Sequence, residues 1–383
     1  MLQEELSPLP PGLIKPDHPL LSPVYRKDGS LLAKQGALLD EEQALKILQY
    51  GELYTVRSEL EKALDSLKLT EKPNKVSLDK AFKFATKFEQ VEHVIEFVRD
   101  IHENSNHKNV NSMLTKAILM IMKVCAGERA PSIAKCILRQ DVDVISHAVF
   151  TAIICYHCAH HMNWNERSIQ SLVGAALTMN LSWKHISPDD VLPNSKGYEM
   201  LRADLAHPIR SASLLKKAGI NDEAWIQFVT EHHEMGDGTG FPAKLTADSI
   251  SWGGSLLALC EQYCSLVKGF LRPKQILPDK AIQNACVKQP FRYGKVNREA
   301  LMAVVGEYPP GSFVELSDRT VAIVIKLHDR LGSPLVKQVM SAKGDPIRVS
   351  TLLDATHSSN NVHSAIPEYK VCVPITFESF WEQ

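Results

Sequence analysis

Apolar residues recur at intervals of three and four through most of residues 80–305, and the pattern changes to alternation after "YPPGS" at 308–312. The first spacing predicts amphipathic helices and the second predicts strands. Helices are expected over Asp141–His161, Ile169–Asn180, Ala206–Ala218, Glu223–Glu234 and Gly254–Val267, within an all-α domain of six or seven helices spanning 128–305. Phe82, Phe84, Phe88, Val91, Val94, Ile95 and Val98 carry the helical spacing back to residue 80, and Met113, Leu114, Ile118, Leu119, Ile121 and Met122 continue it. Residues 80–126 therefore read as a helical linker or helical pair. "SFVELSDRTVAIVIKL" and "PLVKQVMSAKGDPI" alternate and are rich in Val and Ile, so 306–378 reads as a small C-terminal β subdomain. Residues 20–57 hold a hairpin signal at Asp28-Gly29, a short helix pattern and a return strand "ELYTV", which together make a small N-terminal α+β module. The proline-rich residues 1–19 read as a disordered, extended tail. The fold class is mainly α.

Charge narrows the function classes. The net charge is −1, so no bulk field steers the protein to DNA or RNA. No apolar run is long enough to cross a bilayer, and the N-terminus lacks the pattern of a signal peptide. A cytoplasmic protein without a membrane segment is expected. Cys155 with Cys158, and Cys260 with Cys264, lie inside apolar helix-like runs without the turn residues of a zinc knuckle. They read as buried reduced thiols.

The strongest chemical signal is "EHHEMGDGTGFP" at 231–242. Imidazoles and carboxylates together suit Fe, Mn, Ni or Zn. On a helix, His232 and His233 would point about 100° apart and serve neighbouring metal positions, with Glu234 orienting a histidine or holding water. Gly236, Gly238 and Gly240 permit positive φ and close backbone approach. Asp237 is either a turn-former or a grip for a guanine edge. The plainer reading is that "GDGTGFP" merely ends a helix and that the two histidines before it pack or face water.

This stretch resembles the signature of the HD-GYP family: His-His-Glu, two residues, then Asp-Gly-x-Gly-Tyr-Pro. Phe241 stands in the place of the tyrosine. His147, on an expected helix, falls at the spacing of a further family histidine, and His207-Pro208 fits a helix start that precedes the double histidine. The flanking "VYRKDGSLLAKQGALL" and "PPGSFVELSDRTVAIVI" also resemble segments found beside the domain in some members. The resemblance implies an all-helical HD/HD-GYP bundle that holds two or three metal ions, commonly iron or manganese, and hydrolyses cyclic di-GMP. Carried onto this chain, it implies His147, His207, His232, His233 and Glu261 as metal ligands. It implies Asp237, Gly238, Gly240, Phe241, Pro242, Lys184 and Arg272 as ligand-binding residues.

The departures set the expected function. Where the family has its His-Asp pair, this chain has Met179-Asn180. Trp183 stands where a lysine is expected, with Lys184 one place on, and Arg272-Pro273-Lys274 is a partial remnant of an Arg-Pro-Tyr segment. Two dications roughly 3.5–4 Å apart repel by about 16 kcal/mol at an effective dielectric of 20. A bridging carboxylate offsets much of that, and neutral Asn180 does not. The expectation is at most one divalent transition metal, iron or manganese, or none. The chain reads as a degenerate member acting in cyclic di-GMP signalling as a nucleotide-binding or interaction module. Cyclic di-GMP and GGDEF-type diguanylate cyclases are the candidate partners, and self-association through 80–126 is a further one. Two alternatives stand beside this reading: an active phosphodiesterase using Glu261 and Asp143 as carboxylates, and a pure scaffold with no ligand. His157, His160 and His161 read as surface or edge positions, and Asp143 as a surface acid.

Overall fold

The structure is a computed structural model that describes residues 6–9, 14, 19–48, 53–56, 58–59, 82, 85–103, 109–139, 143–183, 205–270, 275–328, 332–347, 350–356, 360–371, 373 and 377–381. The chain divides into two compact units. One comprises Met1–Phe84, Phe313–Val324 and Leu335–Gln383, and the other Ala85–Ser312 with Ile325–Pro334.

The first unit contains the N-terminal sheet and most of the C-terminal one, whose residues Ile325–Leu327 and Pro334 fall in the second unit. Strands β1 (Leu6–Pro8), β2 (Val24–Tyr25), β3 (Leu31–Ala33) and β4 (Tyr54–Val56), with helix α1 (Glu41–Leu48), make a four-stranded sheet of order β1-β4-β2-β3. The hairpin between β2 and β3 turns at Gly29, and Asp28 accepts from the Ser30 amide. The disordered tail expected for residues 1–19 is corrected at its described residues. Leu6–Pro8 pairs antiparallel with Val56–Tyr54, and Leu9 and Ile14 are buried in the module's core. The prolines misled because β1 lies at the sheet edge, where a residue without an amide proton is tolerated. Strands β5 (Phe313–Leu316), β6 (Val321–Leu327), β7 (Pro334–Met340), β8 (Leu353–Asp354) and β9 (Val362–Ile366) form a five-stranded sheet of order β8-β7-β6-β5-β9.

The second unit is helical. Its helices are α2 (Lys87–Glu103), α3 (Val110–Cys125), α4 (Ala130–Leu138), α5 (Val144–His161), α6 (Glu166–Thr178), α7 (His207–Lys217), α8 (Glu223–Glu231), α9 (Trp252–Lys268), the short α10 (Pro278–Ile282) and α11 (Lys295–Val305). Among the described residues, 128–305 thus holds eight helices rather than six or seven, because α4 and α10 are too short to impose a visible period. Helix α5 is apolar on nearly every face and is packed by α2, α3, α4, α6, α9 and α11, as a helix without a polar stripe must be. Asp143 caps it, accepting from the Ser146 amide in a capping box. Helices α2 and α3 bury Phe88, Val91, Val94, Ile95, Val98, Leu114, Ile118 and Ile121 inside this unit, so they are not a free linker, and that apolar stripe is already covered by the chain's own helices. No single helix among the described residues is long and apolar enough to cross a membrane.

Candidate metal centre

Three histidines converge from two elements. His207 is the first residue of α7, followed by Pro208, whose missing amide proton costs nothing at that position. Helix α8 ends at Glu231, three residues earlier than the apolar pattern suggests, so His232 and His233 lie on the turn that leaves it rather than on the helix. One ligand atom from each of the three histidines lies within 4.8 Å of the others. His207 Nε2 is 3.1 Å from His232 Nε2. Two nitrogens each about 2.1 Å from a shared ion would sit roughly 3.0–3.4 Å apart, so this spacing fits one ion. His232 Nδ1 donates to the Val229 carbonyl at 2.6 Å. That bond fixes the tautomer and leaves Nε2 with its lone pair outward, as a ligating histidine needs. Burial first, then the neighbouring His207, pushes the His232 imidazole down to about 3, so it stays neutral.

A second pair lies beside them. His147, fully buried on α5, has Nε2 3.3 Å from Glu261 Oε1 on α9, and its ring stacks on Phe270 at 4.2 Å. Neither ring nitrogen makes a hydrogen bond of good geometry. Such orphaned buried donors are uncommon unless an ion or water completes them. The charges of Glu261 and His147 both act on His232, so all of these groups share one electrostatic neighbourhood. The donor set fits one transition ion of the nitrogen- and oxygen-loving kind.

The turn after α6 closes one side. Met179 and Asn180 are both buried, and Asn180 Oδ1 has no hydrogen-bond partner among the described residues. Ser182 donates to the His207 carbonyl at 3.3 Å, and the Trp183 ring lies 4.3 Å from the His207 ring. The methionine-asparagine pair is thus carried on a turn that packs against the start of α7.

The glycine-rich loop folds back over the histidines. Phe241 N–H donates to the His233 carbonyl at 3.1 Å, and its ring stacks on His233 at 4.6 Å. Gly240 makes this return possible, because a Cβ there would come within 2.4 Å of Met235 N and 2.6 Å of the His233 carbonyl oxygen. Glu234 latches the loop, accepting from the Ala243 and Leu245 amides at 2.6 and 2.8 Å. Both of its oxygens are engaged there, which corrects the expectation that it orients a histidine. Asp237 is a turn-former: it accepts from the Thr239 amide at 3.0 Å and pairs with Arg292 at 3.0 Å. Slight burial opposes its ionisation, but Thr239 and then Arg292 outweigh it and hold the carboxyl below its ordinary range. Gly238 takes a positive φ of 74° beside it, and Pro242 follows a cis peptide bond.

Other expectations fall elsewhere. Lys184 and Arg272 lie outside the described residues. Asp143 is consumed by its helix cap and by Arg99, which removes it as a metal carboxylate. His157 is not a surface residue: it is buried and bonded to Ser132 at 2.9 Å, whereas His160 and His161 are exposed. Cys155, Cys158, Cys260 and Cys264 are buried free thiols, pushed up by burial. Sequence reasoning missed Glu231, which accepts from Ser251 N–H at 2.9 Å, from the Ser251 hydroxyl, and from Gln227. It ties the histidine turn to the start of α9, the helix that carries Glu261. The hint was a carboxylate directly before the double histidine on an otherwise apolar run.

Comparison with known proteins finds the following similarities. Residues 131–290 match the family model described as "HD domain". The chain is 29% identical over 138 residues to "Cyclic di-GMP phosphodiesterase PA4108" of Pseudomonas aeruginosa, covering 36% of this chain and 33% of that protein. It is 21% identical over 187 residues to "Cyclic di-GMP phosphodiesterase PdeB" of Borreliella burgdorferi, covering 48% of this chain and 49% of that protein. The chain therefore spans a third to a half of the length of these curated relatives. The solved structure of "Bd1817, a HDG"Y"P protein from Bdellovibrio bacteriovorus" overlays with a TM-score of 0.46 at 15% identity, covering 78% of this chain and 98% of that one.

Proposed function

We propose, with the chain's membership of the HD-GYP family of HD domains as premise, that it binds cyclic di-GMP in bacterial signalling and has lost most or all of the power to hydrolyse it. The observation that carries this reading is the contrast inside one site. His207, His232 and His233 form a cluster fit for one ion, with the His147–Glu261 pair within electrostatic reach of His232, while the neighbouring turn presents neutral Met179-Asn180.

His207, His232 and His233 would hold the ion, with His147 and Glu261 completing its surroundings. Imidazoles with one carboxylate suit several transition metals, and among them the family resemblance points to iron or manganese. A bound ion would polarise a phosphate oxygen and lower the pKa of its water. The chain's own part is to orient the donors: Val229 fixes His232, Glu231 holds the turn to α9, and Phe241 lies against His233. Asn180 brings an amide oxygen without the charge to bring a second dication beside the first. Met179 is a soft thioether, a poor ligand for such ions. Binding therefore outlasts turnover.

The test is to load the protein anaerobically with Mn(II), measure cyclic di-GMP binding by calorimetry, and follow the linear dinucleotide by chromatography. Binding without product is expected. Product accumulating in proportion to protein would establish the active phosphodiesterase instead, and absence of binding would leave a scaffold.

A further inference from the structure

The far end of α5 carries chemistry that the metal centre does not use. Its last turns bring Tyr156, His157, His160 and His161 to a cavity of about 410 Å³. Arg129 and Ala130 at the start of α4 also line it, as does Lys326 at the end of β6. All of these residues belong to the helical unit, and the volume is in the range of small-molecule sites.

Hydrogen bonding fixes the state of His157. Ser132 gives its hydroxyl proton to the Arg129 carbonyl at 2.9 Å. Its oxygen is then free to accept from His157 Nε2–H, 2.9 Å away. A neutral imidazole with a proton on Nε2 has a bare lone pair on Nδ1. His157 is neutral, because burial, and then the positive charges of Arg129, His160 and Lys87, push it down to about 3. Nδ1 is not an enclosed atom and has no hydrogen-bond partner among the described residues.

The rest of the lining is positive. The half-buried Arg129 guanidinium meets no carboxylate among the described residues. The first amides of α4 receive no side-chain cap, which adds partial positive charge. Glu128 is the single acid on the lining and lies 3.6 Å from Lys326, both largely in water, so it leaves Arg129 unneutralised.

We propose that this cavity binds a small organic phosphate bearing hydroxyl groups. The phosphate lies against Arg129, Lys326 and the start of α4, and a hydroxyl donates to His157 Nδ1. A dication is disfavoured by the same positive groups, even though His157 and His161 stand one turn apart. A bare anion would use Arg129 but would turn oxygen lone pairs toward Nδ1.

The probe is ribose 5-phosphate, titrated by calorimetry into the full chain in chelator-treated buffer. Saturable binding is expected, with Arg129→Gln weakening it by about tenfold or more, as for loss of a charge-assisted hydrogen bond. Ribose and inorganic phosphate should each bind at least about tenfold more weakly, since each keeps one half of the recognition. His232→Ala should leave binding unchanged, and the His157 Nδ1 resonance should shift as ligand is added. Wild-type binding in Arg129→Gln, no binding at millimolar probe, loss of binding in His232→Ala, or an unmoved His157 resonance would each overturn the proposal.

Discussion

The two groups of histidines in the helical unit differ in how they are assembled. His207, His232 and His233 come from the start of one helix and the end of another, and their nitrogens face one another. His157, His160 and His161 come from the last turns of a single helix and are surrounded by Arg129, Lys326 and an uncapped helix start. The first group concentrates lone pairs at one place, which suits a cation. The second offers one lone pair inside a field of positive charge, which suits an anion that also donates a hydrogen bond. Residue type is the same in both; the neighbours decide the chemistry.

Substitutions can break this contrast from either side. The largest effect is expected for Gly240→Ala. Its Cβ would meet backbone atoms of residues 233–235 at 2.4–2.6 Å, and backbone does not yield cheaply. A loss of about 3 kcal/mol or more is expected, read as a fall in the denaturation midpoint together with lost metal binding. Gly238→Ala meets only ordinary van der Waals contacts, Thr246 Cγ2 at 3.9 Å and the Lys244 carbonyl oxygen at 4.0 Å, but keeps a positive φ, so it should cost only about 1–2 kcal/mol. Equal effects at the two positions would mean that the loop does not return over the histidines.

His232→Ala comes next. It should weaken Mn(II) binding by more than the roughly 10–100-fold typical of losing an outer partner, whereas His161→Ala should leave metal binding unchanged. A metal response at His161 would erase the distinction between the two groups.

Acid titration gives a smaller and more specific readout. His157 is neutral when folded, with its pKa lowered to about 3, and takes up its proton on unfolding at its ordinary 6.5. Between those values the unfolded chain binds more protons, so stability falls as the pH drops from about 6.5 toward about 3. His157→Gln should flatten that slope by up to about 1.4 kcal/mol per pH unit, checked by denaturation across the window. An unchanged slope would contradict the neutral, buried state. Ser132→Ala is expected to do least, about 1 kcal/mol for one lost hydrogen bond.

How much of this was legible in the sequence follows from the range of the interactions. The helices α5, α6 and α9 announce themselves by period, and the His232-His233 turn by its local motif. The capping role of Asp143 was also local, written in Asp143 and Ser146, although the acid by itself reads as an ordinary surface carboxylate. Glu234 was misread because its partners, the amides of Ala243 and Leu245, depend on the course of the loop and not on side-chain identity. Strand β1 was missed because its pairing with β4 joins residues about fifty apart in the chain, and its own prolines argue against a strand. The His157 environment was invisible for the same reason: Arg129 and Lys326 reach it only through the packing of α4 and β6. Local chemistry reads well from sequence, while the surroundings that tune it come from the fold.

The central claim, that neutral Met179-Asn180 leaves room for one ion and not two, is tested most directly by anaerobic elemental analysis of the purified protein beside Met179→His with Asn180→Asp. The account predicts at most one iron or manganese per chain in the native sequence, rising toward two in the double variant. Two tightly held ions per chain in the native protein would contradict it.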